Sequence, residues 1–279
     1  MEESKEIRGL RPAAIITAVL LTCAAVLGAV GFGAPKAALQ TDDLAPGREY
    51  LAAVASADTA AVDEEIRRLK ETRRQEELRN SLIAQIESGE KDVWSMFEDY
   101  VLMGDSRAVG FSYYRFLEDS RVLASSGATL YGISQQLGTL KTLNPSYVFL
   151  CYGINDTAVK EWPDGEKYGE AFLDAIRSIQ DVAPHAKIVV SSIIPVTGAA
   201  AKRWTKIPDF SAGAKKMCEE NGFIFVDNDA TAAEHIDEYA GDGIHLQPSF
   251  YEYWARNLII GALTGGASPA EEAQEGNGQ

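Results

Sequence analysis

Hydrophobic and polar positions divide the chain into three unlike stretches. From Pro12 to Ala34 every position is uncharged and most are apolar. At about 1.5 Å per residue, such a run is long enough to cross a hydrocarbon core of about 30 Å as a helix. From about Asp58 to Glu90 the pattern turns charged. Val62, Ile66 and Leu69, then Leu78, Leu82 and Ile86, recur at helical spacing on this polar background. Asp63 and Glu64 precede Arg67 and Arg68 by four positions, the favourable polarity along a helix. These features predict a helical stalk, either a solvated helix spacing the domain from the bilayer or a coiled coil. After Tyr100, short β-branched and aromatic runs alternate with amphipathic segments. Tyr100–Met103, Val122–Ser125, Tyr147–Tyr152, Lys187–Ile194 and Phe223–Val226 predict strands buried on both faces, as in a parallel sheet. Tyr168, Phe172, Ile176 and Ile179 fall on one helical face. Further helices are predicted from Pro208 to Asn221, stopped by Gly222, and from Pro248 to Leu263.

This five-fold β–α alternation implies one doubly wound α/β domain. The expected organisation is a cytoplasmic N-terminus at 1–11, a transmembrane anchor at 12–34, a flexible linker at 35–57 and a helical stalk at 58–97. The α/β domain follows at 98–263, with an aperiodic tail at 264–279. Lys5, Arg8 and Arg11 precede the apolar run, whereas Lys36 is soon followed by Asp42 and Asp43. That bias places the N-terminus in the cytoplasm and the α/β domain outside the membrane. Net charge is −15 and no cluster of Lys and Arg interleaves with aromatics, which argues against a nucleic-acid partner. The cysteines, Cys23, Cys151 and Cys218, are three and widely spaced, so no disulfide framework is indicated.

Ligands of open α/β sheets bind at the carboxyl ends of the strands. Polar turns stand there: Gly104-Asp105-Ser106 after the first strand, Gly153-Ile154-Asn155-Asp156 after the third, and Asp242-Gly243-Ile244-His245 before the last helix. A serine hydroxyl needs a neighbouring base to become a nucleophile. Among His185, His235 and His245, only His245 follows an aspartate by three positions. Asp242 is so placed that it can hold the imidazole while the other ring nitrogen faces Ser106. Donors for an oxyanion are the Ser106 N–H at a helix start, the Asn155 amide and the N–H of Gly127, which has no side chain to block approach. The loops Thr157–Lys167 and Thr197–Lys206 follow strand ends and carry Trp162 and Trp204, a possible substrate wall. Tyr113 and Tyr114, on the helix after Ser106, read as core and rim residues.

Residues from about 100 to 263 resemble the SGNH subgroup of the GDSL esterase/lipase family. Its four blocks match Gly104-Asp105-Ser106, Gly127, Gly153-x-Asn155-Asp156 and Asp242-x-x-His245, in order. The resemblance implies a flavodoxin-like three-layer α/β/α fold with no metal or organic cofactor. It assigns Ser106 as nucleophile, His245 as base, Asp242 as its orienter, and Ser106, Gly127 and Asn155 as oxyanion donors. Arg107 stands where many members carry an apolar residue and is expected to alter the pocket rim. The function expected is hydrolysis of short, O-acetyl-like esters on a cell-envelope glycan. The alternatives are an O-acyltransferase working with a membrane acyl-donor partner, a lysophospholipase or lipase, and a non-catalytic envelope-binding module.

Overall fold

The computed structural model describes residues 45–55 and 60–265. The anchor expected at 12–34 and the tail from residue 266 lie outside the described residues. Among the described residues no helix is long and apolar enough to cross a membrane.

The chain divides into two units, residues 1–68 and 69–279. In the first, helix α1 (Ala45–Ala55) occupies part of the stretch expected to be an unstructured linker. It lacks an amphipathic stripe, but Ala, Leu, Arg and Glu after an early proline are strong helix formers. Helix α2 (Ala60–Glu87) also begins here. Its ion pairs include Glu64 with Arg67 at 2.8 Å and Glu65 with Arg68 at 2.6 Å, each three positions apart, and Arg73 with Glu77 at 3.2 Å, four apart.

In the second unit, Ile83 and Ile86 at the end of α2 are buried. Leu82 and Ile86 join one core cluster with Val93 and Phe97. The folded domain thus reaches back before residue 98, the boundary expected from the sequence. The last apolar turns of the stalk are core, because burying a large aliphatic side chain is worth about 1.5–3 kcal/mol.

Five strands form one parallel sheet: β1 (Tyr100–Gly104), β2 (Val122–Ala124), β3 (Tyr147–Cys151), β4 (Lys187–Ser191) and β5 (Ile224–Val226), in the order β2-β1-β3-β4-β5. Alternate residues serve opposite layers, as the two-residue period of a strand requires. Leu102, Phe149 and Val189 enter one core cluster, whereas Val101, Met103, Val148, Leu150, Ile188 and Val190 enter the other. The first layer contains α3 (Ser106–Tyr113), α8 (Phe250–Thr264) and the end of α2. The second contains α4 (Ile133–Leu143), α5 (Gly165–Val182) and α6 (Ile207–Asn221). A short helix α7 (Asp229–Glu234) follows β5. Tyr168, Phe172, Ile176 and Ile179 are fully buried on α5, as their spacing predicts. This is the expected three-layer α/β/α arrangement. Its strand order reverses between β1 and β3, the point at which such sheets open a crevice.

Candidate active site

Ser106 is the first residue of α3 and follows β1 directly. Asp105 caps the helix: its Oδ1 accepts from the Arg107 N–H at 3.0 Å. A capping aspartate in front of a helix satisfies an otherwise orphaned donor. It thereby fixes where the serine leaves the sheet. Asp105 is buried, and burial pushes its carboxyl up while Arg107 and backbone N–H groups pull the other way.

His245 reaches Ser106 from far along the chain, with Nε2 3.1 Å from Oγ. On its other side Nδ1 lies 2.6 Å from Asp242 Oδ2. Asp242 Oδ1 accepts from the N–H groups of both Ile244 and His245 at 2.9 Å, closing the turn on itself. Gly243 makes that turn possible. Its φ is +68°, and a Cβ there would stand 2.5 Å from the Thr197 carbonyl oxygen. Partial burial pushes the Asp242 carboxyl up, but the hydrogen bonds from the His245 ring and the two N–H groups outweigh it and hold the group at about 2. Asp242 is therefore a carboxylate across the neutral range. With the imidazole proton on Nδ1 facing it, the Nε2 lone pair faces the serine hydroxyl.

Asn155 follows β3, the strand beside β1 in the sheet. Its Nδ2 donates to the Ala128 carbonyl oxygen at 3.0 Å, which engages one amide hydrogen and leaves the second. Asp156, fully buried, accepts from the Leu130 N–H at 2.9 Å. These two bonds hold the loop after β2 against the turn after β3. Gly127 lies in that loop with φ +75°. It is exposed, with nothing close to where a Cβ would stand.

The expected substrate wall is not as the sequence suggested. Arg107 is only 3% exposed and does not form a rim. One turn position after Ser106 directs it inward, where Nη1 donates to the Ile194 carbonyl oxygen at 2.6 Å and Nε lies 3.8 Å from Asp105 Oδ1. Trp162 is also buried, beneath the ring of Tyr131. Trp204 is half-buried against the second core cluster, with the Arg203 guanidinium 4.8 Å from its ring centroid. Tyr113 and Tyr114 are exposed rather than core residues. His185 is exposed, and His235 stacks on Tyr253 with ring centroids 3.7 Å apart. Neither of these histidines is part of the constellation. Among the described residues no group of three or more His, Cys, Asp or Glu side chains is disposed to hold a metal ion.

A hydroxyl, an imidazole and a carboxylate in series, with backbone and amide donors on adjacent strand ends, can perform acyl transfer. Among curated proteins none matches the chain. Solved structures resemble it at low identity. A lipase/acylhydrolase from Enterococcus faecalis is 15% identical with a TM-score of 0.46, covering 60% of this chain and 96% of its own. A GDSL-like lipase from Bacteroides thetaiotaomicron VPI-5482 is 19% identical with a TM-score of 0.45, covering 60% and 88%. A variant of an acetyl xylan esterase from Geobacillus stearothermophilus is 15% identical with a TM-score of 0.45, covering 62% and 97%. Likenesses of this order carry no information on substrate. A family model described as the GDSL-like Lipase/Acylhydrolase family, by contrast, matches residues 102–253. That is more than half of the sequence, and it spans every residue of the constellation: the chain belongs to the GDSL-like lipase/acylhydrolase family.

Proposed function

We propose that this domain is a serine esterase that removes short acyl groups of the O-acetyl kind from glycans of the cell envelope. The observation that carries the reading is the series Ser106 Oγ, His245 Nε2 at 3.1 Å, and Asp242 Oδ2 at 2.6 Å from Nδ1. In the first half-reaction Ser106 Oγ attacks the ester carbonyl carbon and its proton passes to His245 Nε2. Negative charge gathers on the carbonyl oxygen, where the N–H groups of Ser106 and Gly127 and the free Asn155 amide hydrogen stabilise it. Collapse of the tetrahedral intermediate breaks the bond to the alcohol oxygen, which takes the proton from His245. Water then repeats the attack on the acyl-serine, His245 again moving the proton, and the acid is released. Asp242 holds the imidazole in the productive tautomer and offsets its positive charge while it carries the proton.

A short acyl group is supported by the surface. The exposed large apolar side chains of residues 100–265 are Tyr113, Tyr114, Tyr131 and Ile236, spread over three segments. A long alkyl chain needs a contiguous apolar surface. An extracytoplasmic position is supported by the uncharged run at 12–34 and the basic residues before it. The test is hydrolysis of p-nitrophenyl acetate and p-nitrophenyl octanoate by the purified protein. Ser106→Ala should lower turnover of the acetate by about 10³-fold or more. Survival of the activity in that variant refutes Ser106 as nucleophile, and a preference for octanoate refutes the short acyl group.

A further inference from the structure

Beside the turn that carries Asn155 stands an aromatic pair with one protected and one open ring. Tyr131 lies in the 3₁₀ turn Leu130–Gly132 that follows β2. Its ring stacks on that of Trp162 from the loop after β3, with centroids 4.7 Å apart and planes at 30°. Trp162 is 7% exposed, and its other neighbour is the buried ring of Tyr168 at 6.1 Å. Tyr131 is 57% exposed. The upper ring is thus backed by the core and still open to solvent.

The same two hydrogen bonds that join the loops set its position. Ala128, three residues before Tyr131, accepts from Asn155 Nδ2, and Leu130, the residue before it, donates to Asp156 Oδ1. Gly127 and Tyr131 are four residue steps apart, so their Cα atoms lie at most about 14 Å from one another, and the ring stands within a few sugar units of Gly127. A rigid aromatic face offers large contact area at small entropic cost. Its flanks are polar: Ser134 and Gln135 beyond Tyr131, and Lys160 and Glu161 before Trp162, are all exposed. An open ring with hydrogen-bonding side chains around it suits a pyranose, whose CH face stacks while its hydroxyls find partners. An alkyl chain would meet only a single apolar ring.

We propose that Tyr131, backed by Trp162, is a sugar-stacking subsite that binds a pyranose ring of the esterified glycan within a few units of the acyl-bearing residue. This rests on the esterase reading of Ser106. The test compares Tyr131→Ala and Tyr131→Trp with the unaltered full chain on p-nitrophenyl acetate, on partially O-acetylated xylotetraose and on O-acetylated N-acetylglucosamine oligomers. Tyr131→Ala should raise KM for a sugar ester about tenfold, a loss of one good aromatic contact, with kcat and p-nitrophenyl acetate turnover within about twofold. Tyr131→Trp should restore KM. The subsite is overturned if Tyr131→Ala leaves KM for the sugar esters unchanged, if it depresses both substrate types equally, or if only p-nitrophenyl acetate is cleaved by the unaltered protein. Calorimetric binding of the same oligosaccharides to Ser106→Ala, with and without Tyr131→Ala, reads the platform apart from catalysis. Weakened binding on Tyr131→Ala there, with hydrolysis either absent from the unaltered protein or undiminished in Ser106→Ala, keeps the subsite and refutes the esterase reading alone.

Discussion

Arg107 Nη1 donates to the carbonyl oxygen of Ile194 at 2.6 Å, although the two residues stand 87 positions apart. Two residues in the same loop carry that tie onward. Pro195 accepts from the Tyr239 hydroxyl at 2.7 Å, and the Thr197 N–H donates to the Gly243 carbonyl oxygen at 2.8 Å. The neighbour of Ser106 is thereby linked, through the loop after β4, to the turn that presents Asp242 and His245. Tyr251 adds a bond from α8, its hydroxyl donating to the Arg107 carbonyl oxygen at 2.8 Å.

Removal of that guanidinium should cost more than one hydrogen bond. In Arg107→Met the buried Asp105 loses its nearest positive charge, and breaking a buried pair typically destabilises by about 3–5 kcal/mol. Asp105→Asn in the same protein should recover part of the loss, because no charge is then left uncompensated. Urea unfolding of the two single variants, the double variant and the parent measures the coupling. Additive effects, with no recovery in the double variant, contradict the pairing.

Asp242→Asn should separate catalysis from folding. The side chain is partly exposed and its neighbours remain, so the folded state persists at neutral pH. Turnover of p-nitrophenyl acetate should fall by about 10³–10⁴-fold, because the amide favours the wrong imidazole tautomer. The pH dependence has a definite sign. The folded-state value of about 2 lies below the ordinary 3.8. Ionised Asp242 therefore stabilises the fold above about pH 4, and this contribution is lost as pH falls through about 2. The variant should lack that share of acid sensitivity in unfolding midpoints measured at pH 5 and pH 2.5. Near-parental turnover in the variant excludes the orienting role.

Asn155→Ala tests the amide donor. Loss of one oxyanion donor lowers kcat by about 10²–10³-fold, with KM changed little. Nδ2 also holds Ala128 at 3.0 Å, so a stability loss of about 1 kcal/mol should accompany it. A variant that raises KM while kcat stays unaltered would assign Asn155 to ground-state binding instead.

Asp156→Asn should make the protein more stable, and more so in alkali. Burial pushes this carboxyl up, to about 7, aided by the nearby Asp105 and opposed by the Leu130 N–H. Its Oδ2 is buried without a hydrogen-bond partner. The sign follows from proton counts. Between about pH 4 and 7 the unfolded chain has released this proton and the folded protein retains it, so stability falls as pH rises. A shift of about 3 units corresponds to roughly 4 kcal/mol at most. The amide variant keeps an acceptor for Leu130 and has no charge to bury. Unfolding free energies of both proteins at pH 5 and pH 8 give the difference, and an equal pH response in the two rules out Asp156 as its source.

Much of the fold was legible because it depends on short-range periodicity. The uninterrupted apolar runs of β1 and β3 and the face formed by Tyr168, Phe172, Ile176 and Ile179 are properties of contiguous residues. The doubly wound class and the three polar turns followed from them, whereas the strand order β2-β1-β3-β4-β5 is a property of the assembled sheet. The stalk was misdivided for the complementary reason. Leu82 and Ile86 continue the helical spacing of Val62, Ile66 and Leu69, yet the former pack into the domain core and the latter are exposed. Spacing identifies a stripe without saying what covers it. Helix α1 escaped notice because it rests on residue propensity without a stripe.

At the site, the chain itself determined which residue types stand at the strand ends. Ser106, Asn155, Asp242 and His245 are the residue types that acyl transfer needs, and the β–α alternation places them at strand ends. Asp242 and His245 are three residues apart, so their contact is a local matter of one glycine-containing turn. Only the tertiary structure decided which side chains face solvent. Arg107, one residue from Ser106, is drawn into the interior by a carbonyl 87 positions away. Trp162 is covered by Tyr131 from another loop, which transfers the open aromatic face to a tyrosine the sequence had not singled out. Burial is fixed by segments that meet only when the sheet forms, and no local pattern encodes their meeting.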